Sequence, residues 1–115
     1  MILNLTQHTG TPEQGVTAPT RVFEIRELLT FESQPTLAEI TDRAETIAML
    51  AADQGAKCAM IGGAPYLMRP LENALIARDI VPCYSFSTRV SIETLVDGVL
   101  TKTSVFKHAG FIMVE

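Results

Sequence analysis

Ala56-Lys57-Cys58-Ala59-Met60-Ile61-Gly62-Gly63-Ala64-Pro65 joins two local patterns through a pair of glycines. Its first six residues are apolar apart from Lys57, as in a short strand buried in a parallel sheet. Pro65 then opens a helix, because a missing N–H costs nothing at the first helical position. Leu67, Leu71, Ala74, Leu75 and Arg78 follow on one stripe at helical spacing. Pro70 lies near the first turns and either kinks this helix or marks its true start.

Upstream, Thr36 and Glu39 form a capping box. Leu37, Ile40, Ala44, Ile47, Ala48 and Ala51 then recur at helical spacing, so a helix is predicted from Leu37 to about Gln54. Gly55 is its stop. Arg21–Phe31 reads as helix or strand, with the leucine pair and the charges of Glu24, Arg26 and Glu27 favouring helix. Glu32–Pro35 connects it to the next element. Val16–Thr20 is loop. Thr11-Pro12-Glu13-Gln14 has the form of a helix start that Gly15 ends within about a turn. Gln7–Gly10 is a turn, and Ile2–Thr6 a short buried strand.

Downstream, Ile80–Thr88 is expected as a third strand, with Tyr84 and Phe86 alternating with Cys83, Ser85 and Ser87. Asp97-Gly98 between Ser91–Val96 and Val99–Phe106 is a strong hairpin signal. Lys107–Gly110 interrupts, and Phe111–Val114 extends the last strand. Strands alternating with helices imply right-handed crossovers. The expected fold is α/β, a Rossmann-like parallel sheet with a C-terminal antiparallel hairpin, in one domain spanning 1–115.

With 115 residues, 47% of them hydrophobic, the chain can build one core. No run of about 18 apolar residues predicts a membrane span, and Met1–Leu5 lacks the features of a signal peptide; the expected compartment is the cytoplasm. A net charge of −4 argues against a groove for long nucleic acid. It leaves room for a small anion held locally by backbone amides and an arginine or two. Cys58 and Cys83 sit in apolar runs without metal spacing and read as reduced, buried thiols.

Ligands of open parallel sheets bind beyond the carboxyl ends of the strands. Here those ends are Thr6-Gln7-His8, Gly62-Gly63-Ala64 and Ser87-Thr88-Arg89. Glycines let a ligand approach the backbone, and the following helix offers free N–H groups and a positive dipole end, which suits phosphate. The plainer reading is a tight strand-to-helix turn, since neither a full G-x-G-x-x-G nor a P-loop is present. His8 is suited to proton transfer or to donating to a phosphate; a lone turn histidine is more often a surface or capping residue. Thr11 and Gln14 cap their short helix and face the same rim. Arg89 is suited to a forked phosphate contact, or is an exposed charge beside Glu93. Ser85 and Ser87 line a groove or merely fill a half-exposed strand. Tyr66 stacks on a base or packs on the sheet. His108 has no partner at metal spacing, and no zinc signature or nucleophile elbow appears. Neither a metal nor a cofactor is expected.

Asn4-Leu5-Thr6-Gln7-His8 with Thr11-Pro12-Glu13-Gln14 resembles the opening of small CRISPR-associated proteins with a CARF-like fold. Met60–Met68 resembles the strand–glycine–helix element such folds set against phosphates. Similar short proteins are also carried by phages. The resemblance covers about a fifth of the chain. It implies a homodimer that binds a cyclic oligoadenylate second messenger, with Thr6, Gln7, His8, Gly62, Gly63 and Arg89 near it. It further implies ring-nuclease activity without metal, in which a ribose 2′-hydroxyl attacks the neighbouring phosphate and His8 or Arg89 stabilises charge or moves a proton. The alternatives are a sensor or sponge that binds without cleaving, and a phage structural or interaction protein without a ligand.

Overall fold

A computed structural model describes residues 1–114. The elements run β1 (Ile2–Leu5), α1 (Val22–Leu29), α2 (Leu37–Asp53), β2 (Cys58–Ile61), α3 (Pro65–Ile76), β3 (Val81–Val96) and β4 (Val99–Met113). The protein is mixed α/β, with one four-stranded sheet in the order β1-β2-β3-β4. β1, β2 and β3 are mutually parallel; β4 runs antiparallel to β3.

Spatial order follows sequence order, so crossovers of one hand place every helix on the same face. Leu3, Leu5, Ala59 and Ile61 from that face share one core with Ile25, Leu29, Ile40, Ile47, Leu67 and Leu71 from the helices. The opposite face carries the register row Asn4, Met60 and Cys83, all buried.

The helix boundaries follow their local chemistry. The Thr36 hydroxyl accepts the Glu39 N–H at 3.1 Å, capping α2. The Glu39 carboxylate turns to Arg43 instead of completing the box. Arg43 also donates to the carbonyl oxygens of Leu28 and Thr30 and lies over the Phe31 ring, tying α2 to the end of α1. Gly55, at φ +79°, reverses the chain into β2.

Two expectations are corrected. Pro12–Gly15 is a turn, not a helix. The Gln14 N–H bonds the Thr11 carbonyl and its side chain accepts from the Thr11 N–H. Gly15, at φ +63°, follows immediately, so no second helical turn can form. The third strand and the hairpin are also not separate. β3 continues to Val96, and β4 pairs with it from Val99 back to Met113. A register shift between Phe86 and Ser87 absorbs Ala109 as a bulge, so Lys107–Gly110 bends the strand without ending it. Asp97 and Gly98 have φ of +52° and +77°, as a type I′ turn requires.

Among the described residues, no third strand lies beside the ribbon beyond Cys83. The ribbon projects as an arm, and the radius of gyration is 16.8 Å, against about 13 Å for a compact chain of this size. Among the described residues, no helix is long and apolar enough to cross a membrane.

Cys58 and Cys83 meet across the back of the sheet with their sulfurs 3.8 Å apart. Burial, and then the neighbouring Cys58, push the Cys83 thiol up to about 12. Its thiolate fraction at pH 8 is then about one in ten thousand. Iodoacetamide at that pH is expected to leave Cys83 unmodified in the folded protein and to label it once urea is added, as peptide mass mapping would show. The folded thiol holds its proton more tightly than the unfolded one at 9.0. This site's contribution to stability is therefore intact below about pH 9 and falls as pH rises towards 12.

Candidate functional site

A cleft of about 450 Å³ opens at the carboxyl ends of the parallel strands. Thr6, Gln7, His8 and Thr9 form one wall, Thr11 and Gln14 the turn above it, and Gly62 and Gly63 the opposite rim. Met60, Ile61, Tyr84 and Ser85 complete it. Among the described lining residues there is no carboxylate.

Asn4 shapes the first wall. It is buried at the end of β1, and its amide donates to the His8 carbonyl at 2.8 Å while its oxygen accepts from the Thr6 N–H and hydroxyl. One side chain thus folds Thr6–His8 into a local loop, as asparagine does in turns. The loop is held from behind by Gln7, which donates to Thr30 of the α1–α2 connection at 2.9 Å. The His8 side chain is exposed.

The opposite rim depends on Gly63, at φ +137°. A side chain there is strained whatever room it finds. Gly62 differs: a Cβ would meet only the Thr6 methyl at 3.7 Å, an ordinary contact. Gly63→Ala is therefore expected to cost about 1–3 kcal/mol, and Gly62→Ala much less, as paired urea titrations would show. α3 starts directly after this rim with no side-chain cap; Pro65 has no N–H and the Leu67 N–H bonds the Ala64 carbonyl at 3.0 Å, so of its first three residues only Tyr66 keeps an N–H without a backbone partner.

On the floor, the Gln14 amide donates to the Ser85 hydroxyl at 3.3 Å, and Ser85 lies 2.9 Å from the His108 Nδ1. The Tyr84 hydroxyl donates to Glu72 of α3 at 2.5 Å. Burial and this carboxylate raise the Tyr84 pKa, so it stays a neutral donor at ordinary pH.

The predicted residues separate into two groups. Thr6, Gln7, His8, Thr11, Gln14, Gly62, Gly63 and Ser85 come together in the cleft. Ala64 and Tyr66 sit just beyond the rim at the start of α3, where Tyr66 packs edge-on against Phe31 at 5.3 Å. Ser87 and Arg89 lie outside the cleft on the projecting arm, and the Arg89 guanidinium covers the Phe106 ring. The reason is the continuity of β3: the strand does not end at Thr88, so no loop returns Arg89 to the rim.

Two polar groups were missed. His108 reaches Ser85 through the β4 pairing, which the bulge hides from period-two reading. Arg26 of α1 donates to Thr9 at 3.4 Å, and its Nε is buried without a partner. Its place in a charged helix gave no signal. Among the described residues, no three His, Cys, Asp or Glu side chains gather as a metal site.

Fold and cleft define a small α/β protein whose helices cover one face of a mixed sheet and whose parallel strands end in a ligand-sized opening, mostly apolar in surface with polar side chains along one wall. The chain belongs to the family described as Uncharacterized protein MJ1673 family, whose model matches residues 1–112. No curated protein and no solved structure matches it.

Proposed function

We propose that the cleft binds a phosphate-bearing ligand, a cyclic oligoadenylate, and opens its ring. The observation that carries this reading is the meeting of the Thr6–Thr9 loop with Gly62-Gly63 around a cleft free of carboxylates. Backbone N–H groups and neutral donors on such a rim favour an anion. The sequence resemblance supplies the ligand class, and with it a Rossmann-like, CARF-type reading of the three parallel strands and a cytoplasmic role in antiviral defence. A cleft of about 450 Å³ suits one nucleotide unit better than a whole ring. The ring is therefore shared between the clefts of two copies, a symmetric ligand in a symmetric dimer.

In the reaction, a ribose 2′-hydroxyl gives up its proton as its oxygen attacks the adjacent phosphorus, the bond to the 5′-oxygen breaks, and that oxygen takes a proton, so none is gained or lost overall. The products are a 2′,3′-cyclic phosphate and a 5′-hydroxyl. His8, exposed on the cleft wall, is placed to donate to the phosphate or move that proton. The positioning loop and the glycine rim supply the rest.

The second reading is binding without cleavage, as a sensor or sponge. It is favoured by the position of Arg89, out on the arm, which leaves His8 without that arginine on the wall. The deciding experiment incubates the purified protein with cyclic tri-, tetra- and hexa-adenylate, in EDTA and in manganese, and resolves the products by chromatography. Linear products carrying a cyclic phosphate support ring opening. Intact ring that co-elutes with protein supports the sponge. Neither binding nor turnover removes both and leaves a structural protein.

A further inference from the structure

Ser85 and His108 meet at the floor of the cleft, and the hydrogen bonds around them admit one arrangement of protons. The Gln14 side-chain oxygen accepts the Thr11 N–H at 3.0 Å, so its amide nitrogen is the end turned to Ser85. That nitrogen only donates, and the Ser85 oxygen accepts from it at 3.3 Å. The Ser85 hydrogen then needs an acceptor. Among the described residues, His108 Nδ1 is the one in reach, at 2.9 Å. His108 therefore receives this hydrogen bond and carries its own proton on Nε2, the tautomer that leaves Nδ1 free to act as a base. The half-buried ring packs against Phe111, with centroids 4.8 Å apart, which fixes it beside the bulge. The Ser85 oxygen keeps a further lone pair, and Ser85 lines the cleft.

We propose that Ser85 takes the proton of the hydroxyl that attacks phosphorus and passes its own proton to His108. This role rests on the ring-opening reading and supplies the proton acceptor which that reaction needs. Attacking and leaving oxygens stand roughly in line across a transferring phosphoryl group, so two separate groups must serve them. His8, on the Thr6–Thr9 wall, serves the leaving 5′-oxygen, and Ser85, on the floor, serves the attacking 2′-oxygen. The bond from the 2′-oxygen to phosphorus forms as the bond to the 5′-oxygen breaks. The 2′ proton moves to Ser85 Oγ, the Ser85 proton moves to His108 Nδ1, and a protonated His8 gives one to the 5′-oxygen. Exchange with water then resets both histidines. No carboxylate among the described lining residues competes for the part of the base. The other titratable groups near the pair are turned elsewhere. Tyr84 donates to Glu72, Cys83 is buried in the back of the sheet, and Arg89, further along the same face of β3, covers Phe106.

The test follows single-turnover opening of cyclic tri-, tetra- and hexa-adenylate across the pH range in which histidines titrate, with affinity measured by equilibrium titration of the same samples. The wild-type rate is expected to fall on the acid side, where a protonated imidazole accepts nothing, and on the alkaline side, where His8 has no proton to give. His108→Gln keeps an oxygen that accepts from Ser85 but cannot take its proton. It is expected to lower the rate about 10²–10⁴-fold, to leave affinity in the same order of magnitude, and to abolish the acid-side fall. Ser85→Ala is expected to lose as much rate. Long-range proton–nitrogen NMR spectra of the free protein are expected to show His108 Nδ1 without a proton, and circular dichroism checks the fold of both variants. A wild type that opens no ring overturns the ring-opening reading and this role together. A wild type that opens a ring while His108→Gln keeps its rate, or keeps the acid-side fall, overturns the role of the pair alone. Equal loss of rate and affinity overturns it too, by making His108 a prop of the binding site. A proton found on Nδ1 overturns it without any ligand.

Discussion

His8→Ala is expected to slow ring opening of a cyclic oligoadenylate by about 10²–10⁴-fold, the usual contribution of a positioned acid or base, while affinity stays within the same order of magnitude. The split follows from geometry. The backbone of His8 is part of the loop, since its carbonyl accepts from Asn4 and Thr6, and alanine keeps that carbonyl. Its side chain is exposed on the wall and holds nothing else in place. Removing the ring therefore deletes chemistry and leaves the shape of the site. Single-turnover rates and equilibrium titration of the same preparation separate the two quantities. Equal loss of rate and binding would make His8 a ligand-holding residue, and an unchanged rate would remove it from the mechanism. Arg89→Ala serves as the comparison. From its place over Phe106 on the arm, it is expected to leave both quantities near wild type.

Leu71→Ala is expected to destabilise the fold by about 2–5 kcal/mol, because it removes a buried side chain and leaves a cavity that its surroundings fill only in part. Leu71 is wholly inaccessible and belongs to the core beneath the helix-covered face of the sheet. α3 supplies Leu67, Leu71, Ala74 and Leu75 to that core and then leads directly into β3. At about 4–8 °C per kcal/mol for a domain near this size, the melting temperature falls by roughly 8–40 °C. Phe23→Ala, at a side chain 83% exposed, is expected to stay within about 0.5 kcal/mol of wild type. Both should be measured by thermal circular dichroism at one protein concentration, because a dimer makes the midpoint concentration-dependent. A loss below about 1 kcal/mol at Leu71 would mean that the helix layer is not packed against the sheet as described.

These elements differ in how far local chemistry reveals them. Thr36, the apolar stripe of α2 and Gly55 each act within a few residues, and the helix they define ends within a residue of its expected stop. Pro65 and the Gly62-Gly63 pair are equally local, as is the Asp97-Gly98 turn. The polar stretches that end β1 and β2 were legible as one rim, because parallel strands joined by right-handed crossovers must point their carboxyl ends the same way. The Thr11–Gln14 signal was legible but misleading: a good cap cannot offset the nucleation cost of a helix that Gly15 stops after one turn.

By itself, then, the sequence determined the segments governed by short-range rules: α2 with its Thr36 cap and Gly55 stop, the start of α3 at Pro65, the parallel strands, the glycine turn and the polar rim, while α1 was only favoured as helix. Tertiary structure alone decided how far β3 runs, where β4 pairs with it, and so which side chains leave or join the cleft. Ladder register is a long-range property, set by which strand stands opposite, and a one-residue bulge moves every later side chain to the other face. That bulge brings His108 to Ser85, and the unbroken strand carries Arg89 away onto the arm.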